Sequence, residues 1–356
     1  MKRFFYILLL SVMALAVPVE SYASTSENES EEIDVQEVIF GHLKDSYEWH
    51  IITLGEREIA IPLPVILHSS MTGWHFFMSD KLHETESYDG FHIAEEGAFA
   101  GKLVETAPDG SEVKPFDLSI TKVVVGIFIN LILLLGIIMY AGRWYRHHDE
   151  SDPAPGGFTG LVELMVMMVV DDIIKPAVGK EYKRYTPFLL CLFFFIFLSN
   201  LMGLVPIFPG GANVTGNIAV TLFLALLTFL TVNLFGNREY WKEIFWPDVP
   251  VFLKCPLPIM PLIELFGVFT KPFALTVRLF ANILAGHAVI LALTCVIFIT
   301  ARMGPVLGTT LPFISVLFII FMNCLELLVA FIQAYVFTML SSVFIGLSRP
   351  EHHHKD

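Results

Sequence analysis

Hydrophobic residues occur along most of this chain in runs long enough to cross a lipid bilayer. A membrane helix needs about 20 consecutive apolar residues, and several stretches of that length contain no Asp, Glu, Lys or Arg. The pattern predicts an all-α polytopic membrane protein with about five membrane helices. We place these helices at about residues 121–142, 187–208, 216–236, 258–301 and 310–346.

The last two predicted helices are longer than a helix perpendicular to the membrane requires. We therefore expect them to be strongly tilted, bent or partly parallel to the membrane. A further apolar segment, residues 158–178, is interrupted by Glu163 and by the pair Asp171 and Asp172. This combination is typical of an amphipathic helix that lies at the membrane interface.

The residues before the first span have a different composition. Residues 1–23 combine a basic start, a short apolar run and small residues at the end, which is typical of a signal peptide. Residues 24–120 contain 20 Asp and Glu against 5 Lys and Arg. This acidic region begins with a polar stretch typical of disorder and continues with short alternating runs that predict a small β-rich unit. We expect the whole region to be exported.

The distribution of positive charge predicts the orientation of the chain. Lys and Arg concentrate at residues 143–184, near 237–258 and at the C-terminus, whereas the loop "PIFPGGANVTG" contains neither. Basic loops stay in the cytoplasm. We expect a bacterial inner (plasma) membrane protein with an exported N-terminus and a cytoplasmic C-terminus.

Polar side chains inside the fourth predicted helix indicate chemistry, because ionisable groups at membrane depth are costly and mark ion pathways. Arg278 cannot lose its proton and stays charged. At 100° per residue, Asn282 lies one turn along on the same face, and Glu264 returns to within about 40° of it. His287 faces the opposite side of the helix. A snorkelling Arg278 and a structural His287 remain alternatives.

The fifth predicted helix carries a second polar stripe. Glu326 and Gln333 are seven residues apart and therefore lie within about 20° of each other. A fixed cation together with titratable groups on two long helices favours an ion pathway. Two other classes stay open at this point. They are a stand-alone proton-coupled transporter or channel, and a membrane-anchored sensing or binding protein whose working part is the β-rich region.

Four segments carry a resemblance to subunit a of the F-type ATP synthase. The stretches "KPFALTVRLFANILAGH" and "NCLELLVAFIQAYVFTMLSSVFIG" resemble the two C-terminal helices of that family. The stretches "SNLMGLVPIFPGGANVTGN" and "GGFTGLVELMVMMVVDDIIKPAVG" are similar to its second span and to the interfacial segment before it. The resemblance covers about residues 155–348. It is most specific in R-L-F-A-N at Arg278–Asn282 joined to Q-A-Y-V-F at Gln333–Phe337.

The resemblance implies a stator subunit that provides two proton half-channels against the rotating c-ring and couples proton flow to ATP synthesis. It makes Arg278 the coupling cation that faces a c-ring carboxylate, with Asn282 and Gln333 as its polar neighbours. Glu264 matches an acid nearer the inner side, and Asn213 lies in the outer loop at the channel mouth. The implied partners are the c-ring proteolipid subunits, the peripheral stalk subunit b, the remaining ATP synthase subunits and membrane lipid.

The resemblance also assigns His287 and Glu326 to the half-channel on the outer side. In some family members the acid occupies the earlier position and the imidazole the later one, so the two are exchanged in this chain. The exchange implies a proton-handling pair, and the imidazole in the entry path favours H⁺ over Na⁺. We expect no cofactor, metal or nucleic acid, and any ATP chemistry belongs to other subunits.

Overall fold

The computed structural model describes residues 45–54, 57–84, 87–94, 99, 101–106, 111–148, 152–205, 210–246, 259–301 and 307–349. The predicted signal peptide, the polar start of the acidic region and the last residues of the C-terminus lie outside the described residues. The chain divides into two compact units. One comprises Met1–Ile129, Val205–Ala212 and Leu291–Ile320, and the other comprises Asn130–Leu204, Asn213–Ile290 and Phe321–Asp356.

The first unit contains the strands, which in its described part pair antiparallel in three small sheets. The apolar runs seen in the sequence form them, and Gly, Pro and Asp separate them. A short helix, α1 (Lys81–Glu84), follows the second sheet's hairpin. The sheets are β1–β2 (Glu48–Leu54, Arg57–Pro62), β4–β3–β8 (Gly73–Met78, Pro64–Ser69, Phe116–Asp117) and β5–β6–β7 (Phe91–Ile93, Leu103–Thr106, Glu112–Val113).

A small aromatic and aliphatic core holds these strands together. Alternation along β3 turns Val65 and Leu67 inward, where they pack with Phe77, Phe91 and Leu103. The polar groups at the edge of this core are paired. The hydroxyl of Tyr47 donates to Oδ2 of Asp117 at 2.6 Å.

The same unit is joined to the first long helix by backbone hydrogen bonds. Four residues separate the end of β8 from the start of helix α2 (Lys122–Tyr145). The amide of Lys122 donates to the carbonyl of Ser46 at 2.9 Å. The amide of Val123 donates to Oδ1 of Asp45 at 3.1 Å, which satisfies one of the free donors at the helix start.

The remaining secondary structure among the described residues is helical. In chain order the helices are α3 (Gly157–Met168), α4 (Lys175–Val178), α5 (Tyr182–Leu204), α6 (Ile218–Leu234), α7 (Arg238–Phe245), α8 (Ile259–Ala301) and α9 (Leu307–Leu347). A π-helical turn, Val169–Ile174, and a 3₁₀ turn, Gly179–Glu181, connect α3, α4 and α5 into one run.

Within the described residues, four helical segments are long and apolar enough to cross a membrane, and there are five if a bent pair counts as one span. This agrees with the prediction of a polytopic helical membrane protein with about five spans. The bent pair consists of α6 and α7, whose axes differ by 99°. The four segments are Lys122–Tyr145, Gly157–Leu204, Met260–Ile297 and Thr310–Leu347.

The predicted interfacial segment and the second predicted span form one continuous helical run. Within it, α5 begins at Tyr182, before the predicted start at residue 187, so Pro187 lies inside the helix. Pro187 is the sixth residue of α5 and has no amide proton, so it cannot donate the usual helical hydrogen bond to the carbonyl of Lys183. The location of residues 158–178 at the membrane interface stays a prediction.

Close contacts at the end of α9 fix this run within the second unit. A Cβ at Gly346 would lie 2.0 Å from the carbonyl oxygen of Ala177, so the two backbones touch at a glycine. Nε of Arg349 donates to the carbonyl of Phe235 at 3.0 Å, and its guanidinium also pairs with Glu181. These contacts hold the last turn of α9 against the helices that precede it.

Candidate functional site

Two of the predicted site residues meet between α8 and α9. Nδ1 of His287 lies 3.1 Å from Oε1 of Glu326, and the two side chains are 15% and 5% exposed. Both carboxylate oxygens of Glu326 are buried, and neither makes a hydrogen bond of regular geometry with any described residue. A buried carboxylate is stable as an anion only beside a charged or hydrogen-bonding partner. The imidazole of His287 is the group in position to be that partner.

Glycines on two helices lie against this pair, and one of them makes room for it. A Cβ at Gly286 would lie 2.5 Å from Oε1 of Glu326 and 3.1 Å from its Cγ. Only glycine therefore lets the carboxylate lie against α8. On α5, a Cβ at Gly203 would lie 3.4 Å from Nε2 of His287, so the backbone of α5 approaches the second ring nitrogen.

Buried polar side chains surround the same level of the helices. Asn200, which lies three residues before Gly203 on α5, is 2% exposed. Its Nδ2 donates to the carbonyl of Ala330 at 3.1 Å, and its Oδ1 accepts from Oγ1 of Thr215 at 2.7 Å. Ala330 is one turn beyond Glu326 on α9. The polar layer therefore continues from the pair across to α5 and the loop before α6.

A second asparagine extends this layer to α2. Asn130 is fully buried, and its Nδ2 donates to the carbonyl of Phe195 at 3.2 Å and to the hydroxyl of Ser199. The residues predicted from the sequence did not include Asn130, Ser199, Asn200 or Thr215. Their polarity within apolar runs was a visible signal, and the missing information was which helices bring them together.

Arg278 and Asn282 lie on a different face of α8. Both side chains are exposed. In contrast, Leu275, Leu279 and Ile283 point into the core and are 2%, 1% and 4% exposed. Among the described residues, Arg278 has no hydrogen-bond, ion-pair or ring partner. The helix therefore presents a permanent charge outward from the second unit.

The structure does not bring the other three predicted residues to the pair. Gln333 is 7% exposed and lies two turns beyond Glu326 on α9. Glu264 is half-buried near the start of α8. Oδ1 of Asn213 accepts from the amide of Gly216 at 2.9 Å, so this side chain closes the turn before α6.

One further cation on α8 was not selected from the sequence. Lys271 lies two turns before Arg278, and its Nζ is 5.4 Å from the centre of the Phe344 ring. It lines a small cavity together with Thr228, Asn233 and Tyr240. Unlike Arg278, it therefore has a neighbour on α9 within the same unit.

Comparison with known proteins connects this arrangement to one family. Residues 124–346 match the family model described as ATP synthase A chain, and residues 38–118 match a domain of unknown function.

Curated relatives carry the name ATP synthase subunit a. One from Myxococcus xanthus is 41% identical over 292 residues, which cover 78% of this chain and 89% of the relative. One from Chloroherpeton thalassium is 43% identical over 69% of this chain and 71% of the relative. For "ATP synthase subunit a 2" of Chlorobaculum tepidum the identity is 42%, and the alignment covers 67% of this chain and 65% of the relative. The matched family model spans more than half of the sequence. The chain belongs to the ATP synthase A chain family.

Proposed function

We propose that the chain is the stator subunit of a rotary ATP synthase, which couples proton flow across the membrane to rotation of a c-ring and so to ATP synthesis. Membership of the ATP synthase A chain family supports the assignment to a rotary ATP synthase. The observation that carries the mechanism is Arg278, a permanent cation that faces outward from a candidate membrane helix. It has no partner among the described residues.

An exposed guanidinium in a membrane helix requires an anion from outside the chain. A charged residue at the centre of a membrane helix costs about 3 kcal/mol on insertion scales. A carboxylate 4 Å away returns about 4 kcal/mol at an effective dielectric constant of 20. A c-ring carboxylate that passes Arg278 is thus held ionised. The same charge repels protons and keeps the two half-channels apart.

The pair His287 and Glu326 is the proton entry of the outer half-channel. An imidazole can take up and release protons near neutral pH. Nδ1 of His287 is 3.1 Å from Oε1 of Glu326, so a proton on this nitrogen is within reach of direct transfer to the carboxylate. The buried amides and hydroxyls around Asn200 offer hydrogen bonds for water molecules that lead to the pair.

The remaining predicted residues belong near the ring-facing surface, to the exit and to the outer loop. Asn282 shares the exposed face of Arg278, and Gln333 lies on the adjacent α9. We assign Glu264, which lies near the start of α8, to the inner half-channel. Asn213 shapes the outer loop through its bond to Gly216.

The length of α8 and α9 supports a tilted arrangement. With 43 and 41 residues, each helix is about 60 Å long at 1.5 Å per residue, whereas the hydrocarbon layer is about 30 Å thick. We propose a bacterial inner membrane location, with residues 24–120 exported after removal of the signal peptide and the C-terminus in the cytoplasm. The remaining partners are subunit b and the other ATP synthase subunits.

Photo-cross-linking tests the ring-facing surface. Benzoylphenylalanine at position 282, on the exposed face of Arg278, is expected to form an adduct with the c-ring proteolipid in the assembled complex. The matched control carries the same residue at position 222, because Leu222 is also exposed but lies on α6. Absence of a proteolipid adduct at 282, or equal adducts at both positions, contradicts the proposal.

A further inference from the structure

The β3–β4–β8 sheet has apolar side chains on both of its faces. Its inner face supplies the core of the first unit through Val65, Leu67 and Phe77. On the outer face, the register places Phe76 opposite Ile66 and Trp74 opposite His68. We call this outer surface the apolar sheet face. Its most exposed members are Trp74 (53%), Phe76 (70%), Met78 (39%), Phe116 (63%) and Leu118 (52%).

Among the residues that the structure describes, the apolar sheet face contains no charged side chain. Strands β3 and β4 have no Asp, Glu, Lys or Arg at all. The acid of β8, Asp117, points to the other side, where it accepts the hydrogen bond of Tyr47. A sheet surface in contact with water is normally polar, so a continuous apolar face marks an interaction surface.

The connection to α2 places this face beside the point where the chain enters the membrane. The sheet continues past β8, because the amides of Leu118 and Ile120 donate to the carbonyls of Ile66 and Pro64 at 2.9 and 3.1 Å. Helix α2, a candidate membrane span, follows at Lys122. Four residues extend over at most about 14 Å, and Asp45 and Ser46 of the same unit cap the helix start. The sheet therefore cannot move far from the membrane surface.

We propose that the apolar sheet face docks on the lipid surface at the end of α2, with Trp74 and Phe76 inserted at the level of the headgroups. Tryptophan and other aromatic side chains favour this zone, where an apolar ring meets a polar boundary. Protein interfaces have a polar rim around their apolar centre, and this face lacks one along β3 and β4. The contact anchors the β unit at the membrane surface and so fixes the depth of α2 in the bilayer.

Fluorescence of Trp74 in lipid vesicles tests the docking. The full chain is reconstituted in phosphatidylcholine vesicles, with the other four tryptophans replaced by phenylalanine. Lipids brominated near the glycerol end of their acyl chains are expected to quench most of the Trp74 emission, and aqueous iodide is expected to quench little of it. The matched control keeps only Trp49, which is 2% exposed in the same unit. Neither quencher is expected to reach it.

Two results would overturn the proposal. Quenching of Trp74 by iodide and not by brominated lipid places the face in water. Protection from both quenchers shows that protein covers it instead.

Substitutions at Phe76 separate docking from folding. This side chain is 70% exposed, so Phe76→Asp removes little internal packing and introduces a charge onto the face. We expect it to make Trp74 accessible to iodide, while Phe76→Leu leaves the lipid quenching in place. If Phe76→Asp changes neither quenching pattern, the face does not rest on lipid. None of these outcomes depends on c-ring coupling.

Discussion

Replacing Gly286 with alanine is a minimal perturbation of the proposed proton entry. The new methyl group would lie 2.5 Å from Oε1 and 3.1 Å from Cδ and Cγ of Glu326. Ordinary contact begins near 3.4 Å, so the carboxylate has to move by about 1 Å. Glu326 is buried and has little space in which to do so.

The displacement weakens the contact with His287. At an effective dielectric constant of 20, a protonated imidazole and a carboxylate attract each other by about 5 kcal/mol at 3.1 Å and about 4 kcal/mol at 4 Å. The loss of about 1 kcal/mol corresponds to a factor of about five to ten in a rate or an equilibrium. Overpacking costs a further 1–3 kcal/mol, roughly, in the stability of the helix pair.

The assay measures proton movement in vesicles in two ways. In the first, ATP drives proton uptake by the complete complex. In the second, a membrane potential drives passive proton conduction through the membrane sector alone. Gly286→Ala is expected to slow passive conduction by about five- to tenfold. The matched control is Gly267→Ala on the same helix, where a Cβ meets no atom within 4 Å. This change is expected to leave conduction unchanged and to favour the helix slightly. Equal conduction in the two assembled variants would refute the reasoning.

The proton-handling pair and the β unit give two further predictions. The exchange of His287→Glu with Glu326→His is expected to restore more proton uptake than either single change, whereas simple additivity of the two effects would show that they are not a pair. Burial and the bond to Asp117 raise the pKa of Tyr47, so the neutral phenol contributes stability below the ordinary pKa of about 10 and that contribution is lost as the pH rises further. We therefore expect the urea midpoint of the β unit, followed by Trp49 fluorescence, to fall at alkaline pH. Tyr47→Phe is expected to lower the unfolding free energy at neutral pH by about 1–3 kcal/mol and to remove this alkaline fall. A wild-type midpoint that is constant through alkaline pH would contradict the assigned role of this hydroxyl.

The long helices could be predicted because a bilayer imposes a simple rule on sequence. Continuous apolar runs are needed to span it, and α8 and α9 begin and end within a few residues of their predicted bounds. The angular separation of Arg278 from His287 also follows from helix geometry alone. In the structure one side chain is exposed, and the other is turned toward Glu326.

Contacts between distant segments could not be predicted in this way. The approach of Gly286 to Glu326 and the bond from Asn200 to Ala330 depend on how separate helices pack. The helical repeat along one segment does not encode that packing. The strand β4 was visible as an apolar run, but five of its six residues are aromatic, apolar or histidine without clear alternation. The sequence therefore did not indicate which of Trp74, Phe76 and Phe77 would be buried.

The central claim is that Arg278 is the charge that couples proton flow to rotation. The most direct test is ATP-driven proton pumping in vesicles that carry the assembled complex with Arg278→Ala, compared with Lys271→Ala on the same helix. We predict that pumping disappears with Arg278→Ala while the complex still assembles, and that Lys271→Ala continues to pump. Undiminished pumping by assembled Arg278→Ala would contradict the account.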